Sequence, residues 1–338
     1  MRMRKGFVNA LLAGVAMLGV SAASAHAAEM TKLRVVLGYI PDVEMYGPEY
    51  ALKEGYYKAA GLDVTLIPAG QGVDQVQMVA AGIAEIGIAN PEQILAGIGQ
   101  GEKFKVFAGQ FQTQPLAMTC RKDSGVTKPA DLVGKTVGVK VNAMPYYKLF
   151  LSKNGVPEDK VKTTTIGPND VSLLIAGRIA CEITTFAFNE PLIVQQAGVP
   201  TTILPLGDYG LNSQVDSFFV KDAFFSKPEN QAVLVKFLSA TAKGWVGFYK
   251  DPKAAANYII DGNFVDGLDR TQQIFQAEQQ VKFMESPLTK EKGILWLDPS
   301  IWTQTDENLK AAGVTKDLVP LDGVLTTSIL EQADMPKF

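Results

Sequence analysis

One short segment gathers side chains suited to holding a flat, hydrogen-bonding molecule. Residues 38–47 read Gly-Tyr-Ile-Pro-Asp-Val-Glu-Met-Tyr-Gly and follow an apolar run that is typical of a strand. Aromatic faces stack on rings, so Tyr39 and Tyr46 could enclose a ring compound. The carboxylates of Asp42 and Glu44 could accept hydrogen bonds from its amino groups. A turn flanked by buried aromatic side chains explains the same residues, and both interpretations stay open.

Two polar corners each follow a predicted strand and open a predicted helix. The first reads Asn90-Pro91-Glu92 and the second Asn189-Glu190-Pro191. Their amide and carboxylate groups make Asn90, Asn189 and Glu190 candidate ligand-binding residues. A carboxylate at a helix start also gains from the helix dipole, so helix capping is the alternative role.

Glutamines recur where the chain is predicted to cross between two lobes. Gln110 and Gln112 are candidate binding residues there, with Gln114 beside them, because amides satisfy polar ligands. The alternative is that they belong to the edge of a hinge strand.

An anion is the competing ligand class. Asn142 and Tyr146 lie at the start of a helix that follows the predicted strand Thr136–Lys140, and free backbone N–H groups at such a start can bind an anion. The stretch lacks the hydroxyl groups expected around sulfonate. Arginine, the favoured partner of anionic groups, is absent from the predicted loops at strand ends, which favours a neutral ring. The mature chain has four arginines: Arg34, Arg121, Arg178 and Arg270.

Histidine and cysteine usage argues against catalysis. The only histidine is His26, in or beside the leader, which removes histidine general bases and most zinc or copper sites. We therefore expect no enzyme activity, no metal and no cofactor.

Cys120 and Cys181 show no CxxC spacing, and they could pair in an oxidising compartment or stay as buried thiols.

The N-terminus resembles a secretory signal peptide. Basic residues precede a short apolar run, residues 7–20, and Ala-x-Ala motifs follow, which predicts cleavage after Ala27 and export to the periplasm. The run is too short to span a membrane comfortably, and no cysteine near the cleavage site could carry a lipid. Cleavage leaves 29 Lys and Arg (32 less Arg2, Arg4 and Lys5) against 35 Asp and Glu, a net charge of −6 that argues against a nucleic-acid partner.

The remaining 300 or so residues alternate strand and helix patterns, which predicts an α/β fold with two lobes. The predicted elements include helices over residues 48–60 and Met144–Lys153 and a strand at Lys162–Ile166. The order is repeated after about Cys120, and an all-helical tail begins after about Val220. We expect crossings near residues 115–121 and 215–220. These place residues 28–117 and 219–338 in lobe 1, with the helical tail packed on it, and residues 118–218 in lobe 2.

Several phrases resemble one large family. They include Gly38–Tyr46, Lys53–Lys58, Gly61–Val64, Val79–Gly82, Asp123–Val126, Pro129–Leu132 and Gly134–Val139. These phrases are similar to periplasmic binding proteins of ABC importers, among them receptors for thiamine pyrimidines, riboflavin, nitrate, sulfonates and taurine. The resemblance implies a type II-like two-lobed fold with two hinge strands. It also implies a monomeric receptor whose partners are a small molecule and the importer's permease and ATPase subunits.

Within that family the second corner resembles the thiamine-precursor and riboflavin branch. The resemblance implies that Glu190 and Tyr39 hold a heteroaromatic ring. A receptor for sulfonate, taurine or nitrate is the alternative. A pyridoxal-phosphate enzyme, like the fungal pyrimidine synthase of the family, is a remote alternative, because the synthase's Cys-rich motif is absent here.

Overall fold

Two five-stranded sheets, each packed against helices, build the molecule. The computed structural model describes residues 30–70, 72–140, 143–167 and 170–338. The predicted signal peptide, residues 1–27, lies outside them. Within the described ranges no helix is both long and apolar enough to cross a membrane. The predicted α/β class is confirmed.

The first sheet has the strand order β2-β1-β3-β10-β4. Its strands are β1 (Thr31–Val36), β2 (Leu62–Ile67), β3 (Ile86–Ala89), β4 (Phe104–Gly109) and β10 (Ser217–Lys221). β1 runs parallel to β2 and β3, whereas β10 is antiparallel to β3 and β4. The carboxyl ends of β1, β2 and β3 therefore meet at one edge.

The second sheet has the order β7-β6-β8-β5-β9. Its strands are β5 (Leu116–Arg121), β6 (Thr136–Lys140), β7 (Lys162–Ile166), β8 (Cys181–Phe186) and β9 (Thr201–Pro205). Cys120 and Cys181 are opposite each other on antiparallel β5 and β8, and they form a disulfide. Of the two states that the sequence leaves open, the structure shows the bonded one.

The chain crosses between the sheets at residues 110–115 and 206–216. The predicted crossings overlap β5 and β10, each of which lies within one sheet. Both connecting segments fall outside the strands, so the expected hinge strands are instead two adjacent irregular segments. The Gln110 N–H donates to the Asp216 carbonyl over 3.0 Å, which joins one segment to the other.

Helices cover the sheets and complete the first lobe. They are α1 (Tyr46–Lys53), α2 (Tyr56–Ala59), α3 (Gln75–Ala80), α4 (Pro91–Gly99), α5 (Met144–Lys153), α6 (Ser172–Ile175), α7 (Glu190–Gln196), α8 (Asp222–Phe225), α9 (Pro228–Lys250), α10 (Pro252–Asp261), α11 (Arg270–Met284), α12 (Pro287–Lys292) and α13 (Pro299–Ala311). The single helix predicted over residues 48–60 is wrong, because Gly55 adopts φ +72° and separates α1 from α2.

The C-terminal helices share one core with the first sheet. Trp245 of α9 and Trp302 of α13 are fully buried in the same apolar cluster as Val35 and Ile88. Gly47 permits the close approach of α1 to α9, because a Cβ there would lie 2.1 Å from the Trp245 indole nitrogen. The helical tail thus packs on the first lobe as expected and supplies α11 to the cleft described below.

Candidate functional site

The end of β1 forms the first wall of a cleft between the lobes. Asp42 ends the loop after β1, and its Oδ1 accepts the Glu44 N–H over 2.8 Å, which caps a 3-10 helix at Val43–Met45. This cap holds the Asp42 and Glu44 carboxyl groups side by side. Tyr39 stays 42% exposed at the rim, whereas Asp42 and Glu44 are buried.

A cavity of about 520 Å³ opens between this loop, α11 and the end of β8. Its lining is Tyr39, Ile40, Asp42, Glu44, Gly70, Phe186, Phe188, Asn189, Gly267, Leu268, Asp269, Gln272, Gln273 and Gln276. The rings of Tyr39, Phe186 and Phe188 come from both lobes. Carboxyl and amide groups supply the polar part, and lysine, arginine and histidine are absent from this lining of described residues.

The glutamines of α11 are site residues that sequence reasoning missed. Gln273 Oε1 accepts the Val43 N–H over 3.1 Å, and Gln276 Nε2 donates to Asp42 Oδ2 over 3.5 Å. Gln272 Nε2 reaches across the cleft to Asn189 Oδ1 at 3.3 Å. The available signal was the spacing of the glutamines, since residues three and four apart share a helix face.

A cluster of three buried carboxyl groups lies under the cavity. Burial is the main cause of each shift: it raises the pKa of Asp42 to about 6, that of Asp216 to about 7, and that of Glu44 well above its usual range. Glu44 and Asp216 share a side-chain hydrogen bond, which requires a proton on one of them. Gln110 joins both, since its Nε2 donates to the Glu44 carbonyl over 2.7 Å and to Asp216 Oδ2 over 3.4 Å.

Asp216 is another residue of the candidate site that the sequence did not predict. It ends a connecting segment with φ +56°, a conformation that Asn and Asp tolerate better than most residues. A Cβ on Gly38 would lie 2.3 Å from its Oδ1, so glycine at position 38 makes room for this carboxyl group.

The two side chains of the Asn189-Glu190 corner have different roles. Asn189, one of the predicted site residues, lines the cavity. Glu190 is only 1% exposed and does not line it. Its Oε2 accepts the Phe186 N–H over 2.8 Å, and its Oε1 lies 3.3 Å from Lys140 Nζ. Glu190 therefore positions the end of β8.

A smaller cavity of about 270 Å³ lies beside the first, again between the lobes. It is lined by Asn90, Glu92, Gln93, Gln114, Leu116, Lys140, Ala143, Tyr146, Thr184 and Val215. Asn90 and Tyr146, both predicted site residues, meet here. The Tyr146 hydroxyl donates to Glu92 Oε1 over 3.1 Å and links α5 of one lobe to α4 of the other.

Three further predicted site residues, like Glu190, line neither cavity. Tyr46 is buried among Tyr50, Trp245 and Phe248, because the 3-10 helix turns it into the lobe 1 core. Gln112 is buried too, with Nε2 donating to the Gly109 and Trp296 carbonyls. Gln110 is not part of the cavity lining, but it hydrogen-bonds to Glu44, which is, and to Asp216.

Asn142, the remaining predicted site residue, lies outside the described residues.

Comparison with known proteins agrees with this architecture. The NMT1/THI5-like family matches residues 44–255. The chain belongs to that family. The riboflavin-binding protein RibY of Chloroflexus aurantiacus is 25% identical over 324 residues, which cover 92% of this chain and 90% of RibY. The formylaminopyrimidine-binding protein of Halalkalibacterium halodurans is 21% identical over 286 residues, 80% of this chain and 86% of the relative.

Solved structures show the same fold at low sequence identity. The periplasmic sulfonate-binding protein SsuA of Methylobacillus flagellatus KT superposes with a TM-score of 0.66 at 13% identity, covering 90% of this chain and 93% of that one. The desulfurization enzyme DSZB superposes with a TM-score of 0.62 at 13% identity, covering 89% and 98%. The fold is that of the periplasmic binding proteins, and it also serves an enzyme.

Proposed function

We propose that this protein is a periplasmic solute receptor that captures a heteroaromatic compound and delivers it to an ABC importer. One observation carries the ligand class: the 520 Å³ cavity joins aromatic rings from both lobes to carboxyl and amide groups, with no cationic side chain among its described lining residues. Stacking on Tyr39, Phe186 or Phe188 supplies affinity, and the acceptors orient ring N–H groups. The two curated relatives, named as binding proteins for riboflavin and formylaminopyrimidine, support this class.

The size of the cavity favours a fused ring system over a single pyrimidine. Pockets that enclose drug-sized ligands measure about 300–1,000 Å³. A lone pyrimidine would leave much of this cavity to water, whereas a flavin-sized ring system would reach the aromatic groups of both lobes. Contacts to both lobes stabilise the closed arrangement, so capture proceeds by hinge closure about the two connecting segments. Binding of this kind needs no covalent step.

Titration of purified, ligand-stripped protein tests the proposal. We expect the fluorescence of riboflavin to be quenched on binding. We also expect riboflavin to raise the melting temperature of the protein, since a ligand at 100 times its Kd stabilises the native state by about 2.7 kcal/mol. Formylaminopyrimidine, taurine, an alkanesulfonate and nitrate complete the panel. Stabilisation by the anions alone would contradict the ring ligand and favour a sulfonate, taurine or nitrate receptor.

Tyr39→Ala is expected to weaken riboflavin binding about tenfold, because it removes one stacking face from the rim. Isothermal calorimetry measures the loss. Tyr46→Phe is the matched control: it alters a tyrosine of the same segment that lies in the core, and the affinity should stay unchanged. Equal losses in the two variants would show that the effect is structural.

A further inference from the structure

The two cavities of the cleft differ in charge: the described lining of the larger one holds carboxyl and amide groups without a cation, and that of the smaller one adds the Lys140 ammonium group to the Glu92 carboxyl group. The larger one presents the carboxyl groups of Asp42 and Glu44, which accept hydrogen bonds when ionised. The smaller one presents the Lys140 ammonium group, whose side chain is 15% exposed, and the Gln114 amide. The Gln114 Oε1 accepts the Leu116 N–H over 3.4 Å, so the amide nitrogen is the group that this side chain can offer to a ligand oxygen.

Contacts made by two side chains, Glu190 and Asp216, link the linings of the two cavities. The Glu190 carboxylate contacts Lys140, which lines the smaller cavity, and the Phe186 N–H of the larger one. On the opposite lobe the Asp216 N–H donates to Asn90 Oδ1 over 3.5 Å, while the Asp216 carboxyl group bonds to Glu44. These contacts make the two cavities neighbours in the cleft, which is the arrangement that a ring compound with a side chain would need.

Lys140 keeps donor capacity for such a substituent. Its Nζ donates to the Thr184 carbonyl over 3.0 Å and to Glu190 Oε1 over 3.3 Å, which uses two of three protons. Glu182 Oε1 lies 3.9 Å away, too far for a hydrogen bond, and burial raises the pKa of Glu182 to about 8. Thr184, whose carbonyl orients Lys140, has φ +60°, an outlying conformation for a β-branched residue.

We propose that the smaller cavity is a second subsite, in which Lys140 and Gln114 bind an oxygen-bearing substituent of the ring compound. This inference rests on the proposed function and adds a ligand requirement to it: N–H groups on the ring and oxygen atoms on a side chain. The oxygen atoms belong either to a hydroxylated chain or to an acidic group.

Three flavins with the same ring test the subsite. Lumiflavin carries only a methyl group where riboflavin carries a hydroxylated chain, and flavin mononucleotide ends that chain in phosphate. Lys140→Gln is expected to weaken riboflavin binding about tenfold or more and lumiflavin binding less than about twofold, because only the chain loses a charged donor. Preferential loss of flavin mononucleotide binding would show that the subsite binds an acidic substituent. Preferential loss of riboflavin binding assigns a hydroxylated one.

Two further variants keep the test decisive. Gln114→Ala leaves the Lys140–Glu190 pair intact and should show the same selective loss if Lys140→Gln fails to fold. Lys148→Gln changes an exposed lysine of α5 and should change no affinity. Equal weakening of riboflavin and lumiflavin overturns the subsite but leaves the ring receptor standing. Failure of the unaltered protein to bind any flavin overturns the subsite, and stabilisation by the anions alone overturns the ring receptor as well.

Discussion

Asp216→Asn should stabilise the protein at alkaline pH by up to about 4 kcal/mol. Burial raises the pKa of Asp216 from 3.8 to about 7. A raised pKa means that the folded state holds this proton more tightly than the unfolded state. The stability linked to Asp216 is therefore fully present below pH 3.8 and is lost as the pH rises through about 7. A carboxamide hydrogen-bonds to Glu44 without needing a proton and tolerates φ +56°.

Urea unfolding between pH 4 and pH 8.5 measures the effect. The unaltered protein should lose stability as the pH rises, and the gain from Asp216→Asn should grow over the same range. Asp208→Asn is the control, because Asp208 is exposed in the same connecting segment. Asp42 and Glu44 are the titratable groups facing Asp216, and both remain in the variant. A constant difference between variant and parent at every pH would refute the linkage.

Glu190→Ala should lower the free energy of unfolding by about 3–5 kcal/mol, the usual cost of removing one partner of a buried ion pair. The change removes the carboxylate nearer to the largely buried Lys140 ammonium group, since Glu182 lies 3.9 Å away against 3.3 Å for Glu190, and it leaves the Phe186 N–H without its acceptor. Chemical unfolding followed by circular dichroism measures the loss. The result separates a positioning role of Glu190 from the direct ring contact that the family resemblance implies.

A double variant completes that test. Lys140→Met with Glu190→Leu removes both charges, and a buried pair replaced by apolar groups of similar volume often keeps its stability. We expect most of the lost free energy to return and lumiflavin to bind the double variant as it binds the unaltered protein. If Glu190 instead contacts the ring, the double variant recovers stability but does not bind lumiflavin.

The accuracy of the sequence prediction depended on how local each feature is. Strands Thr136–Lys140 and Lys162–Ile166 and helix Met144–Lys153 have the predicted bounds, since apolar patterning and the first-turn proline are visible within a few residues. The helix expected over residues 48–60 is broken at Gly55, where φ is +72°. A glycine inside a helical pattern does not reveal from sequence whether its backbone turns left-handed.

Local sequence also indicated part of the candidate site, whose role in binding stays a prediction. Tyr39, Asp42 and Asn189 line the large cavity because they follow β1 and β8, and polar residues at such strand ends face the cleft of an α/β fold. Tyr46 belongs to the same segment, but the turn at Val43–Met45 directs its ring into the core. The difference is one of rotation about a short helix, which residue type does not encode.

The sequence by itself therefore determined the α/β class, the two-lobed architecture and the first polar wall of the cleft, all of which follow from periodicity and from the order of elements. Only the tertiary structure decided which distant residues meet Asp42. The α11 glutamines and Asp216 lie more than 170 residues from Asp42 along the chain. Packing of the helical tail on lobe 1 brings the glutamines within reach of Asp42, and the pairing of β10 with β3 brings Asp216 there. Contacts of such separation depend on the whole fold, because no local pattern specifies which distant side chains will share a cavity.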